Sequence, residues 1–370
     1  MKTTLCAIVA LFGCLFPYAV ESQPLLAGVN VDINDEVRFT TSESAQPRPV
    51  AQWTRKFEAL GTRGIQLEFI NIDDKSTADY TVEFRSRSGN LLKQGSLSRE
   101  KFRAHPVYLT PPLLTDYVEV QIVGTQKPVG LSFVLKSAKV KRNSGAPFSI
   151  TIPDEREQII EYEKDRPDLF KVSRAVAKLS FLKNGIPYVC TGFMISENMM
   201  LTNEHCINSA SLCATAYAMF DYVVDRHGTE SLGESVACLG VHKVSANLDA
   251  ALLRLEGEPG KKFGIARISR SATKIDNALI MVQHPAGEAK QVSRLGCIVS
   301  QEAAEGVTST KTDFAHKCDT LGGSSGSPIF DDRSLEVVGL HHFGFGGFPP
   351  WTDQNRAVHI QHVAKEFGLQ

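Results

Sequence analysis

The chain lacks an excess of charge of either sign: 40 Lys and Arg stand against 41 Asp and Glu, a formal net charge of -1 over 370 residues. The balance holds along its length, with 22 basic and 21 acidic residues in 1–171 and 18 and 20 in 172–370. A nucleic-acid binder gathers Lys and Arg on one face, and a binder of anionic lipid clusters them beside a membrane segment, so neither partner is expected. No apolar run approaches the ~20 residues that cross a bilayer as a helix. Cys-x-x-C pairs are missing too, which makes zinc ligation the poorer use of the cysteines. With 17 Pro and 28 Gly, the composition excludes collagen-like repeats and long disordered tracts. What remains is a folded protein of two or three domains, at roughly 150 residues per domain.

The N-terminus fixes the compartment. Lys2, the apolar run from Leu5 to Phe16, Pro17 and the small-residue stretch around Ala19 and Ser22 have the order of a secretory signal, with cleavage expected near Ser22. Leu11-Phe12-Gly13-Cys14 is similar to a lipoprotein-processing box, although Phe12 fits it poorly. Export removes Cys6 and Cys14 and leaves Cys190, Cys206, Cys213, Cys238, Cys297 and Cys318. An even set of six suits three disulfides in an oxidising compartment, extracellular or periplasmic.

Residues 23–150 carry period-two alternation at Ile65, Leu67, Phe69, at Tyr80, Val82, Phe84, at Val118, Val120, Ile122 and at Leu131, Phe133, Leu135. Half-buried antiparallel strands separated by turns such as Ser88-Gly89-Asn90 predict a β-sandwich. No catalytic grouping is visible there, the lone His105 included, and its ligand is unknown. Residues 151–173 follow as a charged linker: Asp154 to Asp168 holds seven acidic and three basic residues, which reads as a solvated connector open to proteolytic processing after Arg166 or Arg174. From 174 to 370, short apolar strands recur at Val176 to Leu182, Gly192 to Ile195, Ala250 to Leu255, Leu279 to Val282, Ile329 to Phe330 and Val337 to Leu340, and suit two packed β-barrels. The apolar residues Val358, Ile360, Val363 and Phe367 predict a C-terminal amphipathic helix over 355–367. His359 and His362 lie three apart in it but have no carboxylate or cysteine nearby to complete a metal site.

Acyl transfer by a serine needs a hydroxyl made nucleophilic by a base, a group that orients that base, and amide donors for the oxyanion. Three segments offer these parts: Thr202-Asn203-Glu204-His205-Cys206 after an apolar strand, Asp249-Ala250-Ala251-Leu252-Leu253 at the mouth of a buried strand, and Gly322-Gly323-Ser324-Ser325-Gly326-Ser327-Pro328 in a glycine-rich loop. In order and spacing, with gaps of 44 and 76 residues between His205, Asp249 and Ser325, they resemble the chymotrypsin-like serine peptidases, and most closely the secreted bacterial glutamyl endopeptidases. The resemblance covers about 172–367. It implies an all-β double barrel with a C-terminal helix, Ser325 as nucleophile, His205 as general base and acid, Asp249 as the orienting carboxylate, and the amides of Gly323 and Ser325 as the oxyanion hole. It also implies a Cys190–Cys206 disulfide around the histidine loop; Cys297 with Cys318 and Cys213 with Cys238 are the pairings expected for the rest. Protein or peptide substrates follow, with no metal and no organic cofactor.

The same resemblance puts Asp319, Thr320, His341 and His342 on the wall of the primary specificity pocket. Their signals conflict: a carboxylate six residues before the nucleophile selects Arg or Lys in trypsin, whereas a hydroxyl and a histidine receive acidic side chains in the glutamyl endopeptidases. Ser324 stands where trypsin-like zymogens have an Asp, so an inhibitory pro-segment or another ordering device is expected in place of the trypsin switch. Two rivals compete. One is an α/β-hydrolase elbow, Gly322-x-Ser324-x-Gly326, which needs a helix directly after the serine, where Pro328 and a strand-like Ile329-Phe330 stand instead. The other is a protease-like binding protein without turnover, which a complete triad disfavours.

Overall fold

The computed structural model describes residues 25–26, 28–59, 65–104, 106–111, 113, 115–141, 154–231, 233–308, 310–344 and 354–369. The expected export signal over 1–22, with Cys6 and Cys14, lies outside the described residues, as does His105.

Two four-stranded antiparallel sheets form the N-terminal sandwich. One has the order Gly28–Arg38, Leu131–Lys141, Ile65–Asp74, Val107–Leu109, and the other Val50–Glu58, Tyr117–Gly124, Thr81–Arg85, Leu91–Ser98. The residues of the period-two pattern are the ones between the sheets: Leu67, Phe69, Val82, Phe84, Val118, Val120, Ile122, Phe133 and Leu135 are all buried in one core. Edge-to-face ring contacts tie it together, with Phe69 against Phe102 at 5.4 Å and Trp53 against Phe133 at 5.5 Å. The sandwich also meets the following unit, where the Tyr217 hydroxyl donates to the Leu109 carbonyl at 2.6 Å and Lys101 pairs with Glu256.

The C-terminal half is a double β-barrel. Six strands, Ile186–Met194, Val176–Lys183, Tyr217–Phe220, Glu234–Ser245, Ala250–Leu255 and Met199–Thr202, close on themselves because the first also pairs with the last. Leu25–Leu26 adds to the outer edge of Ile186–Met194. The second sheet runs Arg156–Gln158, Gln291–Ser293, Leu279–Gln283, Pro328–Asp331, Val337–Phe343, Asn355–His359, Asp313–His316, Val299–Ala304. A bridge between Ala278 and Ile298 bends its far edge back toward Leu279–Gln283. A continuous apolar core joins the two, from Phe193, Leu201 and Leu253 to Ile280, Val282, Phe330 and Leu340. Disulfides link Cys190 to Cys206, Cys213 to Cys238 and Cys297 to Cys318.

Two expectations need correction. The stretch read as a solvated connector is built into the second barrel from residue 154 onward: Arg156–Gln158 pairs with Gln291–Ser293, and the helical turns Ile159–Glu161, Tyr162–Asp165 and Pro167–Ser173 bury Ile159, Tyr162 and Leu169. Arg166 bridges Asp168 and Asp332, and Arg174 pairs with Asp221, so neither arginine sits in an open loop. Most charges of the segment stay at its surface while Ile159, Tyr162 and Leu169 turn into the core. The C-terminal helix is also shorter than expected. Asn355–His359 is a strand between Val337–Phe343 and Asp313–His316, and only Ile360–Phe367 is helical, burying Ile360, Val363 and Phe367 on one face before Gly368 takes a left-handed conformation.

Candidate active site

The strand Met199–Thr202 ends in Asn203, and the next turn carries His205, which is 8% exposed. Asp249 sits one residue before Ala250–Leu255, the neighbouring strand, and therefore faces it. Its carboxylate grips His205 twice: Oδ1 accepts the His205 backbone N–H at 2.9 Å and Oδ2 lies 2.8 Å from the ring Nδ1. The Asn203 amide donates to the Asp249 carbonyl at 2.9 Å, holding a non-glycine residue at φ 45°. Such a backbone is uncommon for Asp and marks a position fixed by its surroundings. Although burial opposes ionisation, His205 and then His342 hold the Asp249 carboxyl far below the usual carboxylate range.

The glycine loop is pinned to the first barrel. Thr191 N–H donates to the Ser325 carbonyl at 2.8 Å, and the Thr191 hydroxyl donates to the Gly323 carbonyl at 2.9 Å. Gly326, at φ 86°, lies so close that a Cβ there would stand 2.1 Å from the Thr191 carbonyl oxygen and 2.4 Å from Thr202 Oγ1. Only glycine fits, and the fit draws the serine loop against the strand that leads to His205. Ser324 is fully buried, with its hydroxyl accepting the Leu321 N–H at 3.2 Å, while Ser325 is partly exposed. Pro328–Asp331 continues as a strand, so the helix demanded by the Ser324 elbow is not there.

Among the residues expected in the pocket, Asp319 is 4% exposed, and its Oδ2 accepts the backbone N–H of Glu155 at 3.0 Å. Thr320 Oγ1 lies 3.4 Å from Asn355 Oδ1. His341 adjoins the loop, its carbonyl accepting the Gly326 N–H at 2.9 Å, and its Nδ1 lies 3.1 Å from His316 Nε2. Burial keeps both rings neutral, pushing His316 down to about 3 and His341 well below its ordinary value.

His342 departs from expectation. The strand is irregular here, its register against Asn355–His359 shifting between His341 and Phe343, and His342 meets a different set of groups from His341. Its side chain is fully buried, with Nε2 2.7 Å from Asp313 Oδ2 and Nδ1 3.3 Å from Asp249 Oδ2, behind the His205–Asp249 pair and not on the pocket wall. Asp313 was not foreseen: no local motif marks it, and its only signal is a carboxylate opening the buried strand Asp313–His316. Among the described residues, the one grouping of three metal-ligating side chains is Cys190, His205 and Cys206, and both sulfurs belong to a disulfide.

A family model described as lysyl endopeptidase, C-terminal domain, matches residues 161–347, just over half of the chain. The chain belongs to this lysyl endopeptidase C-terminal domain family. Similar proteins include Secreted RxLR effector protein 73 of Plasmopara viticola, 31% identical over 191 residues that make up 47% of this chain and 46% of that protein. Glutamyl endopeptidase of Staphylococcus aureus (strain MW2) is 23% identical over 184 residues, 50% of this chain and 54% of that protein. The chain thus spans about half the length of the curated relatives it matches. Among solved structures, a Glu endopeptidase in complex with MPD covers 60% of this chain and 99% of its own at 19% identity and a TM-score of 0.43. A serine endoprotease from Yersinia pestis covers 54% and 63% at 16% identity and a TM-score of 0.41. The family match ends within the region that carries His341 and His342, and it takes in His205, Asp249, Asp313 and Ser325.

Proposed function

We propose that the protein is an exported serine endopeptidase that cleaves peptide bonds through an acyl-enzyme. The observation that carries this reading is the doubly held His205–Asp249 pair beside a serine loop in which Gly326 can only be glycine. In the reaction, Ser325 Oγ attacks the scissile carbonyl while His205 takes its proton and later passes it to the leaving amine. Asp249 keeps the proton of neutral His205 on Nδ1, leaving Nε2 as the base, and stabilises the imidazolium that forms. The amides of Gly323 and Ser325 receive the oxyanion, with the Gly323 carbonyl drawn off toward Thr191. Three disulfides and a relative whose name calls it secreted support export.

Two side-chain preferences each have one supporting observation. The Asp319 carboxylate is engaged by the Glu155 amide, which removes it as a free counter-charge for Lys or Arg and favours an acidic side chain near His341 and Thr320. The family description, lysyl endopeptidase, favours lysine. Digestion of a mixed peptide library, read by mass spectrometry, tests both: cuts after Glu support the Asp319 argument, cuts after Lys the family's. No cutting by the folded wild type, or cutting that Ser325→Ala retains, would remove the peptidase reading itself.

A further inference from the structure

Behind the His205–Asp249 pair, acidic and basic groups alternate in an unbroken line. His205 Nδ1 meets Asp249 Oδ2 at 2.8 Å, the same oxygen lies 3.3 Å from His342 Nδ1, and His342 Nε2 meets Asp313 Oδ2 at 2.7 Å. Four segments supply the members: the turn after Met199–Thr202, the residue before Ala250–Leu255, Val337–Phe343 and Asp313–His316. Both His342 and Asp313 are completely withdrawn from water. The carboxylate is also fixed in place. Thr312 Oγ1 donates to Asp313 Oδ1 at 3.0 Å, and the space it fills exists because residue 306 is glycine: a Cβ there would lie 2.7 Å from Asp313 Oδ1. The Phe343 ring closes the other side of His342, with centroids 3.9 Å apart.

His342 Nε2 is hydrogen-bonded to Asp313, while Nδ1 is buried without a hydrogen bond and lies at ion-pair distance, 3.3 Å, from the Asp249 carboxylate. A neutral ring protonated on Nε2 would turn a lone pair toward the Asp249 carboxylate, whereas the imidazolium is attracted to both, and a buried imidazolium between two carboxylates is compensated where an isolated one is not. We propose that Asp313 holds His342 as a cation at neutral pH that positions Asp249 and takes up part of its negative charge, making Asp313 and His342 positioning residues for the His205 base. The inference rests on the serine endopeptidase reading above.

The consequence has a definite sign. While His342 is charged, Asp249 divides its attraction between two imidazoles, and the imidazolium formed at His205 gains less from it. With Asp313 made neutral, His342 gives up its proton near neutral pH, and Asp249 acts on His205 undivided. The other groups around His342 do not replace the lost charge: His341 on its own strand and His316 beside it are neutral, and Arg356 on Asn355–His359 is cationic, as is His205 once protonated. His342 itself is pushed up to about 9, since burial works against its charge but Asp313 and then Asp249 outweigh it.

Two measurements test this. Ring NMR of histidine-labelled protein should find His342 doubly protonated through pH 8, and neutral by pH 8 in Asp313→Asn. In the pH profile of kcat/KM, the acid limb of Asp313→Asn and of the double variant Asp313→Asn/His342→Gln should move about half to one pH unit upward, with KM changed less than about twofold. The double variant removes both buried charges together, so it folds where a single change leaves one unpaired. A neutral His342 in the wild type at pH 7, or an unmoved acid limb in a folded double variant, overturns the proposal. Failure of the peptidase reading would show itself separately, as no turnover by a wild type whose His342 still titrates as described.

Discussion

Titrating the folded protein from pH 6.5 to pH 8 should weaken it, and the reason lies in His342. Its folded value is pushed up to about 9 against an ordinary 6.5, so its stabilising effect is complete below 6.5 and is lost as pH rises toward 9. Each pH unit in that window costs about 1.4 kcal/mol, which makes about 2 kcal/mol between 6.5 and 8. Lys290, fully buried with its ammonium donating to the Ser173 carbonyl, is pushed down to about 8 by desolvation. From pH 8 upward the unfolded chain therefore holds a proton that the native protein has lost, and stability recovers. The two slopes cancel between 8 and 9. On the acid side, His316 and His341 are neutral when folded and take up protons when unfolded, so stability falls as pH drops below 6.5. The expected curve has a maximum near pH 6.5, a fall to about pH 8, a plateau and a rise. Urea unfolding followed by circular dichroism at fixed ionic strength from pH 5 to 10 would trace it. In Asp313→Asn the fall between 6.5 and 8 should disappear even if overall stability is lower. A wild type that is flat or rising across that window, or a variant with the same slope, would refute the reasoning.

Gly326→Ala should abolish folding or activity, because a Cβ 2.1 Å from a backbone oxygen cannot be relieved by a rotamer change, whereas Gly185→Ala, also at positive φ but with open space around it, should cost only about 1 kcal/mol in thermal unfolding. Leu169→Ala should destabilise the protein by about 3 kcal/mol, since Leu169 is fully buried; an effect under about 1 kcal/mol would return residues 154–173 to the status of a loose connector. Limited trypsin digestion of the native protein should leave the bond after Arg174 intact, and cutting there would likewise mark the segment as a loose connector. Asp249→Asn should lower kcat by several orders of magnitude with little change in KM, because the His205 tautomer is then no longer enforced.

The three chemical segments are local in sequence, which is why His205, Asp249 and Ser325 stand out as candidates from residue order and spacing alone. The sandwich was equally legible, since Val118, Val120 and Ile122 fill one core with no help from the rest of the chain. Asp313 was not legible because its meaning depends on His342, 29 residues later on a strand that is not its immediate sheet neighbour. His342 reads as a pocket residue through its place beside His341, but the register shift between His341 and Phe343 breaks regular alternation and gives the two rings different partners. Ile159 and Tyr162 suit a short helix in the sequence, but together with Leu169 they stand among charges that lie on the outer side of the same turns. The five residues of Asn355–His359, four of them buried, carry too little periodicity to tell a strand from the start of the following helix.

The central claim is that Ser325 is a nucleophile activated by His205. Labelling with a serine-directed phosphonate, followed by mass spectrometry of the modified peptide, tests it most directly. The account predicts one phosphonylated residue, Ser325, in the wild type and none in a folded Ser325→Ala variant. Label that survives in Ser325→Ala and maps to Ser324, or no label on correctly folded wild type, would contradict it.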